Sequence, residues 1–143
     1  EEMQPQRWNV IKNPKLARTD MDWEVNPDGL YHILLRVQEE YQPGKIYVAE
    51  NGAAYNDAPD EQGKIHDTRR IDYLRGHIDA IGRAVQCGVP MAGYFSWSFM
   101  DNFEWAFGYS QRFGLVYVDF ATQRRYPKDS AYFYGEVTRN NGL

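Results

Sequence analysis

Apolar residues first recur at helical spacing in Leu30, Ile33, Leu34, Val37 and Tyr41. The stripe predicts a helix with Asn26 as N-cap and Pro27 at its first position, stopped by Pro43-Gly44. Ile46 to Ala49 is short, apolar and β-favouring, and reads as a strand that Asn51-Gly52 terminates, since both residues tolerate positive φ. From Ala53 to Lys64 the chain is turn-rich and acidic, as in a surface loop. A second helical stripe, Ile71, Leu74, Ile78, Ile81 and Val85, opens at Asp67-Thr68 and closes at Gly88. Met91 to Phe99 is apolar on both faces, the mark of a parallel strand buried between two layers, and Tyr94, Phe95 and Phe99 read as core. A long loop, Met100 to Arg112, follows. An extended piece at Leu115 to Phe120 and a last helix from Lys128 to Arg139, preceded by Tyr126-Pro127, complete the chain.

This order of helix, strand, helix, strand, loop and helix is a βα repeat entered mid-unit, so the fold class is α/β. No linker or low-complexity tract divides residues 1–143, which read as part of one domain. Two strands cannot close a (β/α)8 barrel, which takes roughly 250 residues or more. Parallel edges left open would be poorly satisfied, so the rest of a barrel is expected as a partner. The start at Glu1-Glu2, polar and carrying Pro5, looks like an internal one.

Composition narrows the function. With 43% hydrophobic and 25% charged residues the balance is globular, and a net charge of −4 argues against a nucleic-acid surface. The basic doublets Arg69-Arg70 and Arg124-Arg125 read as solvated charges. Cys87 is the only cysteine, which excludes an internal disulfide and reads as a buried, inert thiol. His32, His66 and His77 form no ligand pattern, so no metal is expected. No apolar run is long enough to span a membrane. Aromatic residues make up 15% of the chain, many of them between Tyr94 and Tyr134. Such rings build cores, and they also build platforms for the C–H faces of sugars.

The candidate chemistry starts at Glu50, an acidic residue at the end of a strand-like run, where a parallel barrel exposes its functional groups. From Tyr47-Val48-Ala49-Glu50-Asn51-Gly52 alone, an exposed loop carboxylate is the competing reading. Retaining glycoside cleavage needs two carboxyl groups about 5 to 5.5 Å apart. Glu104, in the loop after Trp97, is the evident companion. Either the two form that pair or one of them binds substrate hydroxyls; spacing along the chain does not decide.

The motifs Val48-Ala49-Glu50-Asn51-Gly52, Gly93-Tyr94-Phe95-Ser96-Trp97-Ser98, Asp101-Asn102-Phe103-Glu104-Trp105, Gly108-Tyr109-Ser110 and Arg112 to Asp119 stand in this order. Together they closely resemble the C-terminal part of family 1 β-glucosidases, from about Thr19 to Leu143. The resemblance implies strands seven and eight of the barrel, with Glu50 as nucleophile at the end of strand seven. Such a nucleophile must be ionised, so donors or a cation are expected beside it. It further implies Trp97 as the floor of the glycone subsite, Glu104 and Trp105 as ligands of sugar hydroxyls, and Phe113 as pocket lining. The implied substrates are small β-glucosides or oligosaccharides with a terminal β-D-glucosyl unit. Ala49 stands where the family usually has Thr, and Phe107 where a polar or acidic residue is common. The family's Asn-Glu-Pro motif with the acid/base glutamate, and a strand-six Tyr that contacts the nucleophile, are not in these residues. An N-terminal portion of the same barrel is therefore the implied partner, and this chain alone is expected to be inactive. A half-barrel fragment, or a sugar-binding module without chemistry, is the alternative.

Overall fold

A computed structural model describes residues 12–143; the expected internal start at Glu1 lies outside them. Helix α1 spans Pro27–Tyr41, strand β1 Ile46–Asn51, helix α2 Thr68–Gln86 and strand β2 Met91–Ser96. A 3-10 turn at Trp105–Phe107 and the short strands β3, Val116–Val118, and β4, Arg125–Pro127, precede helix α3, Asp129–Asn140.

The expected starts and stops follow local chemistry. Asn26 Oδ1 accepts from Gly29 N at 3.0 Å and so caps α1, with Pro27 at the first position. Gln42, at φ 45°, turns the chain out of that helix just before Pro43. β1 and β2 pair in parallel with Ile46 opposite Met91 and Asn51 opposite Ser96. Their C-terminal ends therefore lie side by side, with α2 as the connection.

Two apolar clusters flank this pair. One joins Ala53, Tyr55, Tyr73, Leu74 and Leu115 near the C-terminal strand ends. The other joins Leu34, Ala84 and Val89, with Ile46, Val48 and Met91 packed against it, near the strand starts.

Several expectations are corrected. β2 stops at Ser96 rather than Phe99, because Ser98 and Phe99 pair with the returning chain at Phe113, Leu115 and Val116 instead of with β1. The segment read as extended from Leu115 to Phe120 is strand only at Val116–Val118, and it forms an antiparallel hairpin with β4. In α2 the buried face is Arg70, Tyr73, Leu74, His77, Ala80 and Ala84, while Val85 is half exposed. Small and amphipathic residues face the strands there, and the isoleucines sit at the flanks. Ala53, Ala54 and Tyr55 are buried, so the loop after β1 reaches the surface only beyond them. Arg70, read as solvated, is 2% exposed, and Cys87, read as buried, is exposed. Phe95 and Phe99, read as core, are 57% and 69% exposed, because nothing among the described residues covers that face.

Candidate active site

The parallel register brings Glu50 and Asn51, at the end of β1, next to Trp97, which follows β2. Trp97 N donates to Asn51 O at 2.8 Å. Gly52 lets the next loop pass this point: a Cβ built on it would lie 1.8 Å from the Trp97 carbonyl oxygen. Gly52 is thus needed for close approach, and neither it nor Asn51 has the positive φ expected from the dipeptide. Tyr94 donates its hydroxyl to Asn51 Oδ1 at 2.9 Å, fixing that amide.

After Trp97 the chain returns across the mouth of the strands. Ser98 N donates to Phe113 O at 3.1 Å, and Tyr55 N to Arg112 O at 3.1 Å, which ties the second loop to the first. Glu104 stands just before the 3-10 turn, its N–H donating to Gly108 O at 2.6 Å. Asp101 anchors the start of that loop by accepting from Gly114 N at 2.9 Å and from Arg112 Nη1 at 2.6 Å. Lys128, wholly buried before α3, donates to the same carboxylate at 3.2 Å. Burial, reinforced by the nearby Arg70 charge, pulls the Lys128 pKa down to about 8.

A cleft of about 280 Å³ opens between these loops, lined by Trp23, Glu50, Asn51, Gly52, Tyr73, Trp97, Glu104 and Phe113. Of the residues singled out from the sequence, Glu50, Trp97, Glu104 and Phe113 share this cleft. Trp105 does not line it; it is 81% exposed on the adjoining turn, at φ 39°. Phe107, on the same turn, is half exposed and also outside the lining. The donors or cation expected beside Glu50 do not come from the described residues. The close cation–carboxylate pairs of this region lie beneath the cleft instead, joining Arg70 to Asp67 and both Arg112 and Lys128 to Asp101.

Sequence reasoning missed Trp23 and Tyr73. Trp23 lies in the irregular stretch before α1, where a bridge between Arg18 and Glu24 folds the chain back and sets its ring 5.9 Å from that of Phe113. A large aromatic in an otherwise polar segment was the available signal. Tyr73 sits three residues after Arg70 on the buried face of α2, and burial pushes its phenol up to about 12, so it faces the cleft as a neutral hydroxyl. Two carboxylates, neutral hydrogen-bonding groups and aromatic faces in one cleft are what hydroxyl recognition and carboxylate chemistry on a sugar require.

Parallel strands joined by a helix, with Glu50 at the end of one strand and Glu104 in the loop after the other, fit one unit of a β/α barrel. The family described as Glycosyl hydrolase family 1 matches residues 1–143, and the chain belongs to that family. It is 59% identical over 139 residues to a 1,4-beta-D-glucan glucohydrolase of Thermotoga neapolitana, covering 97% of this chain and 31% of that protein. A 6-phospho-beta-galactosidase of Staphylococcus epidermidis is 49% identical over 130 residues, 90% of this chain and 28% of the other. The solved family 1 β-glucosidase from Thermotoga maritima superposes with a TM-score of 0.90 at 55% identity, covering 92% of this chain and 30% of that one. The chain thus spans about 30% of the length of these relatives and supplies part of a (β/α)8 barrel.

Proposed function

We propose that this chain is the C-terminal portion of a retaining β-glucosidase, with β1 and β2 as barrel strands seven and eight and Glu50 as the nucleophile. The observation that carries the reading is that Glu50, at the end of β1, shares one cleft with Trp97, Glu104 and Phe113. A Glu50 carboxylate oxygen attacks the anomeric carbon and the aglycone leaves as an alcohol, protonated by an acid on the N-terminal portion. Water, deprotonated by that same group, then releases the sugar from the covalent glycosyl-enzyme. The groups that keep Glu50 ionised are assigned to the N-terminal portion as well. Trp97 stacks on the glycone, and Glu104 accepts from its hydroxyls with a charge-assisted bond. Trp105 offers its indole N–H from the next turn. No cofactor takes part.

One relative named above acts, by its name, on a 6-phosphorylated galactoside, which sets a rival substrate class. Among the described residues, those lining the cleft include two carboxylates and no Lys or Arg. A dianionic phosphate there would meet like charge, so a neutral glycone is favoured.

In the complete enzyme containing this chain, Glu50→Gln is expected to lower kcat/KM on an aryl β-glucoside by at least about 10⁴-fold. A slow fluorinated glucoside should leave its adduct on Glu50 in a peptide mass map. An adduct on another residue, or a Glu50→Gln enzyme that still turns over, would refute the assignment. Unaltered glucoside binding by Glu50→Gln, with no turnover by the unmutated protein, would favour a sugar-binding module instead. A higher kcat/KM for the 6-phosphorylated glycoside would overturn the substrate class alone.

A further inference from the structure

Arg70 belongs to the first turn of α2, not to the cleft, yet its guanidinium reaches both loops that form it. Nη1 donates to the carbonyl of Ala53, in the loop after β1, and to that of Phe113, in the loop after β2, the latter at 3.3 Å. Nη2 donates to Tyr55 O at 3.1 Å and to Arg112 O at 2.9 Å, again one from each loop. Nε donates to Asp67 Oδ2 at 2.9 Å. Asp67, with no exposed surface, also accepts from Ser130 N at 2.9 Å and Ser130 Oγ at 2.5 Å, which fastens the start of α3 to the same point. Among the described residues, no other side chain is hydrogen-bonded to both loops.

A guanidinium suits this place because its donors form a rigid planar fork and its charge is permanent. Four carbonyl oxygens converge on it, two per loop, and without it they would be buried with fewer partners and mutually repelling dipoles. The first loop continues directly from Glu50, and the second ends at Phe113, nine residues beyond Glu104. We infer that Arg70 is a positioning residue: by gripping the Ala53–Tyr55 and Arg112–Phe113 carbonyls together, it fixes where Glu50 stands relative to Glu104 and Phe113. This rests on the reading of the cleft as a glycosidase site. Lysine at this position keeps the charge but offers a single ammonium that cannot span both pairs of carbonyls.

The test uses the complete enzyme. Arg70→Lys is expected to lower kcat/KM on an aryl β-glucoside about 100-fold, the scale of a misplacement near 1 Å. Most of that loss should disappear in a Glu104→Gln background, because a glycone ligand already removed cannot be misplaced again. Leu34→Ala, in the cluster at the strand starts, serves as a control for lost stability and should keep kcat/KM well below its Tm. Ser130→Ala, which loosens only the brace on Asp67, is the milder variant should Arg70→Lys fail to fold, and it should show the same non-additivity on a smaller scale. Equal activity losses in Arg70→Lys and Leu34→Ala, or full additivity with Glu104→Gln, would overturn the inference. Amide hydrogen exchange decides the matter even if the enzyme hydrolyses no glucoside. Loss of the grip should speed exchange at Tyr55 N and Ser98 N together while α1 is unchanged, and unaltered exchange at both would sink the idea.

Discussion

Gly52 shows how a single residue can be identified correctly for an incorrect reason. Asn-Gly after an apolar run signals a turn, and the strand does end there, but the demand on Gly52 comes from the Trp97 carbonyl across the sheet. Sequence periodicity carries no information about a neighbour 45 residues away. Gly52→Ala should cost about 1–3 kcal/mol through overpacking against backbone that cannot rotate aside. Because relief requires β1 and β2 to part at their ends, activity should fall along with stability. Denaturant unfolding and kcat/KM on the complete enzyme check this; wild-type values for both would refute it. Arg70 illustrates the reverse difficulty. An arginine doublet on a helix ordinarily faces water, and only the tertiary convergence of four carbonyls reveals that the second member does not.

At the scale of elements, α1 and α2 were legible because apolar residues recur in them at helical spacing, with Asn26-Pro27 marking a start, and the two parallel strands because each is a short apolar run beside turn residues. The β3–β4 hairpin was not, since three-residue strands are too short to display a period. The extent of β2 was overestimated because Trp97 and Phe99 carry apolar character past Ser96, where the strand ends. A second tie between elements involves His66, at the end of the loop after β1, whose Nδ1 lies 2.7 Å from Asp129 Oδ2 at the start of α3. The hydrogen bond and charge of Asp129 raise the His66 pKa above its ordinary 6.5. A raised histidine favours the folded state fully below the unfolded value of 6.5, and that contribution fades as pH rises through the native value. Both groups are exposed, so the effect on stability is small. An NMR titration should show the His66 pKa falling back in Asp129→Asn; no change would mean that the pair does not form in solution.

For the whole molecule, the decisive property is an apolar face against which none of the described residues packs. Tyr47 and Phe95 project from the strands, with Phe99 and Phe103 beyond β2, and all four are more than half exposed. Among the described residues, the outer edges of both strands also lack partners in this two-stranded sheet. Expressed on their own, these 143 residues should self-associate, whereas co-production with an N-terminal barrel portion should give a one-to-one complex. Size-exclusion chromatography with light scattering separates the cases, and a monodisperse lone chain would contradict the barrel-completion reading. The candidate cleft was legible to the same extent as the barrel: Glu50, Trp97, Glu104 and Phe113, which line it, sit on a strand end or in the loops that follow. Trp23 enters from a segment with no periodic signal, and Tyr73 from the inner face of a helix. Exposed Cys87 lies at the opposite pole, between α2 and the start of β2, so the six-residue length of that strand, about 20 Å, separates it from the Trp97 end. A thiol-directed tether fixed there would hold the chain by its back and leave the cleft facing the solution, an orientation set by the fold rather than by the choice of support.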